Sequence, residues 1–165
     1  MDTITVFRFL LPLVAISIVF LAIKLTKPPR EVLYLALSIS WVAGVLNLLV
    51  DIVQQHYGFW HYTVDNLIFG FPIDLYISVS LVVGVALPLV YWWLKSLHRK
   101  SVPLFVFALP FYFLLQDYVA ISATGNAVIT LDSPYWWIAD FLSLSVILYG
   151  TLIAFNFSLR SKNRL

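Results

Sequence analysis

The chain has 165 residues, 62% of them apolar and 11% charged, with a formal net charge of +2 and no cysteine. A soluble domain carries roughly 25% charged residues, so there are too few charges here to cover a water-facing surface. The missing cysteine excludes disulfides, iron–sulfur clusters, thiolate zinc sites and thiol catalysis, and no Lys/Arg run interleaved with aromatics suggests nucleic-acid binding.

The composition instead predicts an all-α, polytopic transmembrane bundle, one domain over residues 1–165. A spanning helix needs about 20 mostly apolar residues, and five segments qualify. The first runs from Ile4 to Leu25. It has no basic leading region and no small-residue cleavage site, so it reads as a retained helix rather than a signal peptide. Lys27-Pro28-Pro29-Arg30 separates it from the second, Glu31 to Val53. The link that follows contains Tyr62 to Gly70, too short to span and expected to be interfacial or re-entrant. The third segment runs from Pro72 to Leu94, the fourth from Pro103 to Ser122, and the fifth from Pro134 to Phe157. Proline in a first helical turn forfeits no hydrogen bond. Pro12, Pro88 and Pro110 fall inside segments, where kinks are tolerated in lipid.

Basic residues alternate between the links. Lys24, Lys27 and Arg30 flank the first, Lys95, Arg99 and Lys100 the third, and Arg160, Lys162 and Arg164 the tail, whereas 54–71 and 123–133 hold no Lys or Arg. The positive-inside rule then places the N-terminus outside and the C-terminus in the cytoplasm of a multi-pass protein of the cell membrane. Trp60, Tyr62, Tyr135, Trp136 and Trp137 are expected to form an outer aromatic belt and Tyr91, Trp92 and Trp93 an inner one.

Each segment carries one ionisable side chain toward its outer end: Arg8, Asp51, Asp74, Asp117 and Asp140. At ~1.5 Å per residue, Asp117 lies ~21 Å along its span and Asp140 ~9 Å into its own. An Asp at a span's centre costs about 2.5–3.5 kcal/mol, so such groups turn inward, pair, or line a wet cavity. The simplest arrangement is a polar pocket opening outward, with Arg8 held among carboxyl groups that cannot all be ionised together. Asn47 shares a helix face with Asp51, and Ser143 with Asp140; Gln116 adjoins Asp117. More ordinary roles are open as well. Asp74 suits a helix N-terminus, Asp51 can reach the interface, and Asp132 before Ser133-Pro134 reads as a loop cap. His56 and His61 with Asp65 are a weak alternative metal set, solvated histidines being the ordinary reading. No G-x-S-x-G, H-E-x-x-H or Gly-rich phosphate loop occurs, and nothing calls for a cofactor.

The stretch Asp51-Ile-Val-Gln-Gln-His-Tyr-Gly58-Phe-Trp60-His-Tyr62, followed by Gly70-Phe-Pro72-Ile-Asp74, resembles the membrane-embedded lycopene cyclase and carotenoid hydratase superfamily. Its members show an acid ending one helix, a Gly/Trp/Tyr-rich link, and a Gly…Pro-x-acid opening the next. Asp117…Gly125…Trp136-Trp137 is loosely similar to a second copy of that unit. The cyclases usually carry two adjacent acids after the proline; here Leu75 follows Asp74. The resemblance implies an enzyme that modifies an isoprenoid or carotenoid end group by protonating a C=C bond. The resulting cation is quenched by proton loss or by water, and aromatic faces can stabilise it. Asp117 or Asp140 would be the acid, with Asp74 implied by the resemblance, Asp51 as partner, and Arg8, Asn47, Gln116, Trp60, Tyr62 and Trp136 in support. Partners would be membrane lipid and the apolar substrate. Two other readings stand beside it: a non-catalytic subunit of a larger membrane complex, and a lipid- or tetrapyrrole-binding membrane protein.

Overall fold

The computed structural model describes residues 3–63, 72–124 and 128–162, with the side chains of 3–9, 124 and 162 outside that description. Helix α1 spans Thr3–Thr26, α2 Arg30–His56, α3 Ile73–Leu81, α4 Leu87–Leu97, α5 Val102–Thr124 and α6 Trp136–Lys162. Strands β1 (Trp60–Tyr62) and β2 (Ile129–Leu131) pair antiparallel, Trp60 opposite Leu131 and Tyr62 opposite Ile129. The fold is all-α, as the composition requires. Four stretches, Arg30–His56, Ile73–Leu97, Arg99–Ala123 and Trp136–Ser161, are long and apolar enough to cross a membrane, and α1 adds the apolar run Leu10–Thr26. Each helix ends within a few residues of its expected bounds.

The connections follow from local chemistry. Lys27 takes φ 44°, a left-handed turn that ends α1 before Pro28-Pro29 force an extended path. The third rod is not one regular helix. Pro88 cannot donate to the carbonyl four residues back, and its ring crowds that carbonyl. The chain answers with a π turn over Val82–Ala86, in which the Leu87 N–H reaches Val82 O, five residues back. The π turn also brings backbone against backbone: a Cβ on Gly84 would sit 2.5, 2.6 and 2.9 Å from three backbone atoms of Ser40 in α2. Close approach through small residues is how helices pack where lipid supplies no hydrophobic drive.

The half of the bundle that carries the basic residues is tightly filled. Leu35, Ala36, Val85, Leu89 and Phe155 form its core, with Tyr91 and Trp92 packed against them. Tyr91 and Lys95 both donate to Asn156 Oδ1, at 3.3 and 3.1 Å. Tyr91 and Trp92 are thus partly buried against the core.

The opposite end is capped by the β pair. Asp132 does not cap the loop before α6. Its carboxylate lies 2.7 Å from His61 Nδ1 across the strands, and the Ser133 hydroxyl accepts from the Tyr135 N–H instead. The belt expectation fits Tyr135 and Trp137, which are exposed, but not Trp60, which is buried. The paired strands turn Trp60 inward. Residues 64–71 lie outside the description, and with them most of the expected interfacial piece.

Candidate functional site

Beneath the β pair the helices enclose a cavity of about 450 Å³. Its walls come from α1, α2, α3, the π turn, α5 and α6, and its roof from β1 and β2. Most of the lining is aliphatic or aromatic. Against that background stand Asp51, Asp117 and Asp140, with Asn47, Gln116, Ser78 and Ser143. The spacing argument is met for both pairs: Asn47 and Asp51 share one wall of α2, Asp140 and Ser143 one wall of α6.

The three acids differ in their surroundings. Asp51 is 4% exposed, and its Oδ2 accepts O–H donors from Tyr62 and Tyr76, each at 2.8 Å. It therefore does not simply reach the interface. The Trp60 indole lies close to the same carboxylate, but its N–H falls short of hydrogen-bond geometry. Asp117 and Asp140 line the cavity close enough to Asp51 to feel its charge. Among the described residues, neither carboxyl group has a hydrogen-bond donor, and Asp140 Oδ2 is fully buried without one. Among the described residues, one acid is thus clamped by phenols while two face the apolar space without a donor.

The clamp draws on three elements. Asp51 comes from the last turns of α2, Tyr62 from β1, and Tyr76 from the first turn of α3. Burial, followed by the neighbouring Asp51 carboxylate, pushes the Tyr62 phenol well above its ordinary pKa, so it stays a hydrogen-bond donor. Behind the clamp, Gln54 Nε2 donates to Ser143 Oγ at 3.1 Å, and that hydroxyl donates to Ala139 O. This ties α2 to α6 next to the acids. Trp136 lines the cavity and stacks on Tyr118, with planes 4° apart and centroids 6.5 Å apart.

The remaining expected residues fall elsewhere. Asp74 opens α3 and does not line the cavity, while its neighbour Leu75 does. The Arg8 side chain and Asp65 lie outside the described residues, and so do the proposed Arg8 clamp and the third member of the His56, His61, Asp65 set. His61 is engaged with Asp132, and His56 stands edge-on to Tyr57. Tyr76 and Ser78 were not singled out from the sequence. The signal for Tyr76 was a phenol one turn inside a span, where a buried O–H needs an acceptor. Comparison with protein families, with curated proteins and with solved structures found no match for this chain.

Proposed function

We propose that the protein is an integral, multi-pass membrane enzyme that adds a proton to a C=C bond at the end of an isoprenoid or carotenoid chain. The observation that carries this reading is the convergence of three carboxyl groups from α2, α5 and α6 on one apolar cavity, with Asp140 Oδ2 fully buried and without a hydrogen-bond partner among the described residues. Hydrocarbon will not host such groups singly, and a structural cluster would be expected to pair them. Asp117 or Asp140 supplies the acid. Its O–H bond breaks as a C–H bond forms, which leaves a carbocation on the substrate and a carboxylate on the protein. Loss of a neighbouring proton to that carboxylate gives a rearranged alkene and restores the acid. Addition of water, with its extra proton returned to the carboxylate, gives an alcohol. Both routes balance without a cofactor.

Asp51 is the fixed member. Two phenols donate to its Oδ2 and hold the carboxyl group in place; ionised, it is a stationary negative charge near the developing cation. Trp136 and Trp60 add π faces on the cavity wall. Leu75 faces the cavity at the position where the resembling cyclases carry a second acid, so the proton transfer falls to the acids of α5 and α6. By the charge alternation, the β-capped end faces outward and the basic end the cytoplasm.

The test is expression in a lycopene-producing host, with chromatography of the pigments. Altered end groups are expected, lost in Asp117→Asn or Asp140→Asn. Unchanged pigments with the protein verified in the membrane would refute the proposal. A subunit role would instead call for carboxyl groups on an outer flank, and Asp51, Asp117 and Asp140 all face inward.

A further inference from the structure

Among the described residues, both ends of the cavity are lined. Strands β1 and β2 roof one end, and the core around Val83, Leu87, Leu148 and Leu152 fills the other. Its side is different. Val14 and Ile18 of α1 and Tyr112 of α5 line the cavity, yet they are 51%, 38% and 62% exposed. Exposed residues that also line the cavity leave its wall thin there. Among the described residues, α1 packs chiefly on α3, the π turn and α4, and α5 on α6 and α4, with no extensive packing of α1 on α5. The mouth is therefore a slot between α1 and α5, facing the direction in which lipid lies.

Volume limits what can enter. An apolar cavity of about 150 Å³ holds one benzene ring. At about 450 Å³ this one holds three such rings' worth, on the order of 15–20 carbons. A longer chain must leave its remainder outside, and the exposed lining residues of α1 and α5 lie on the side of the bundle.

We infer that the slot between α1 and α5 is a lateral entrance from the bilayer, through which the site takes one end of a longer hydrocarbon chain while the rest stays in lipid. The inference rests on the proposed function for the nature of that end group, and on the cavity's shape for the route. The acids lie on α2, α5 and α6, walls of the cavity into which the slot leads. Gln116, exposed and cavity-lining, is the polar group at the mouth.

The test uses the full chain in liposomes with two linear polyisoprenoids, one bearing a photoactivatable diazirine near its terminus and the other bearing it far along the chain. Adducts are mapped by mass spectrometry. The terminal tag is expected to mark Val79, Leu144 and Ile147 several-fold over Leu104 and Phe107, which are exposed on the outside of α5. The distant tag is expected to mark Val14, Ile18 and Tyr112. Val14→Trp and Ile18→Trp, both at exposed positions, should abolish the interior adducts, whereas Leu49→Trp, exposed on α2, should not. Equal marking of interior and outer face, or interior adducts that survive both mouth substitutions, would overturn the lateral route. A phospholipid with the same tag in its acyl tail separates sources: interior marking by both supports the route for hydrocarbon chains in general. Altered pigments without interior adducts would refute the entrance alone, and interior adducts with unchanged pigments would refute the enzymatic reading alone.

Discussion

The clamp on Asp51 makes a quantitative prediction. Tyr62 and Tyr76 donate to one oxygen of a carboxylate that is 4% exposed. A hydrogen bond to a charged group contributes about 1.5–3 kcal/mol, against about 0.5–1.5 for a neutral pair. Tyr76→Phe removes one donor and little volume, so it should destabilise the folded chain by about 1.5–3 kcal/mol. Tyr62→Phe should fall in the same range, as it also links β1 to α2. The decisive number is the coupling. With Asp51→Asn as the background, each Tyr→Phe change should cost at least about 1 kcal/mol less than in the native chain, within the range found for groups sharing one network. The assay is reversible unfolding of the purified protein in mixed micelles under increasing denaturing detergent, followed by helical circular dichroism. If either tyrosine costs the same with and without the Asp51 carboxylate, that tyrosine does not serve the acid, and the distinction between one clamped and two bare carboxyl groups fails.

Further substitutions separate other causes. Gly84→Ala places a methyl group against Ser40 backbone that has no rotamer to turn away, so a loss of about 1–3 kcal/mol is expected from overpacking. Gly58→Ala meets no atom within 4 Å but sits at φ +69°, so its loss of about 1–2 kcal/mol is backbone strain alone. A detergent-unfolding series that shows Gly84→Val far worse than Gly84→Ala, with Gly58→Asn milder than Gly58→Ala, would confirm the two mechanisms. Phe155→Ala, fully buried, should cost less than the about 3–5 kcal/mol typical of soluble cores, because lipid removes the transfer term and leaves only packing. Phe157→Ala, 75% exposed, should be neutral in the same assay. Asp132→Asn breaks the His61 pair, whose side chains are 54% and 34% exposed, and should change stability by less than about 1 kcal/mol.

The spans were legible because apolar runs of this length with proline-marked starts have no other reading, and the mapped helices keep those bounds. The positions of Asp51, Asp117 and Asp140 toward the same ends of their spans pointed to a common pocket, and all three line one cavity, whereas Asp74, grouped with them on the same argument, does not. What each acid meets was not legible. Asp51 owes its donors to Tyr62 and Tyr76 on two later elements, and no spacing within α2 announces them. The strands were hidden because three residues carry too little alternation to register, so Trp60 read as a belt residue although the strand pairing turns it inward. Asp132 read as a cap, since the strand that brings His61 beside it lies 71 residues earlier. Pro88 signalled a kink. That the kink takes the form of a π turn, with Gly84 pressed on Ser40, depends on α2 lying alongside.

The π turn also accounts for why one half of the bundle is hollow and the other solid. Val82 and Val83 of that turn line the cavity, whereas Val85 and Leu89, just beyond, are fully buried in the packed half. An unbroken α-helix would carry each face straight through at 3.6 residues per turn. The extra residue of the π turn shifts the phase, so the face that looks into the cavity above it differs from the face that packs below. The same turn lets α2 approach at Gly84 and seals the floor. The missing N–H of Pro88 is thus a local defect with a long reach. It reaches from the packed half, where Val85 and Leu89 are buried, to the cavity wall at Val82 and Val83.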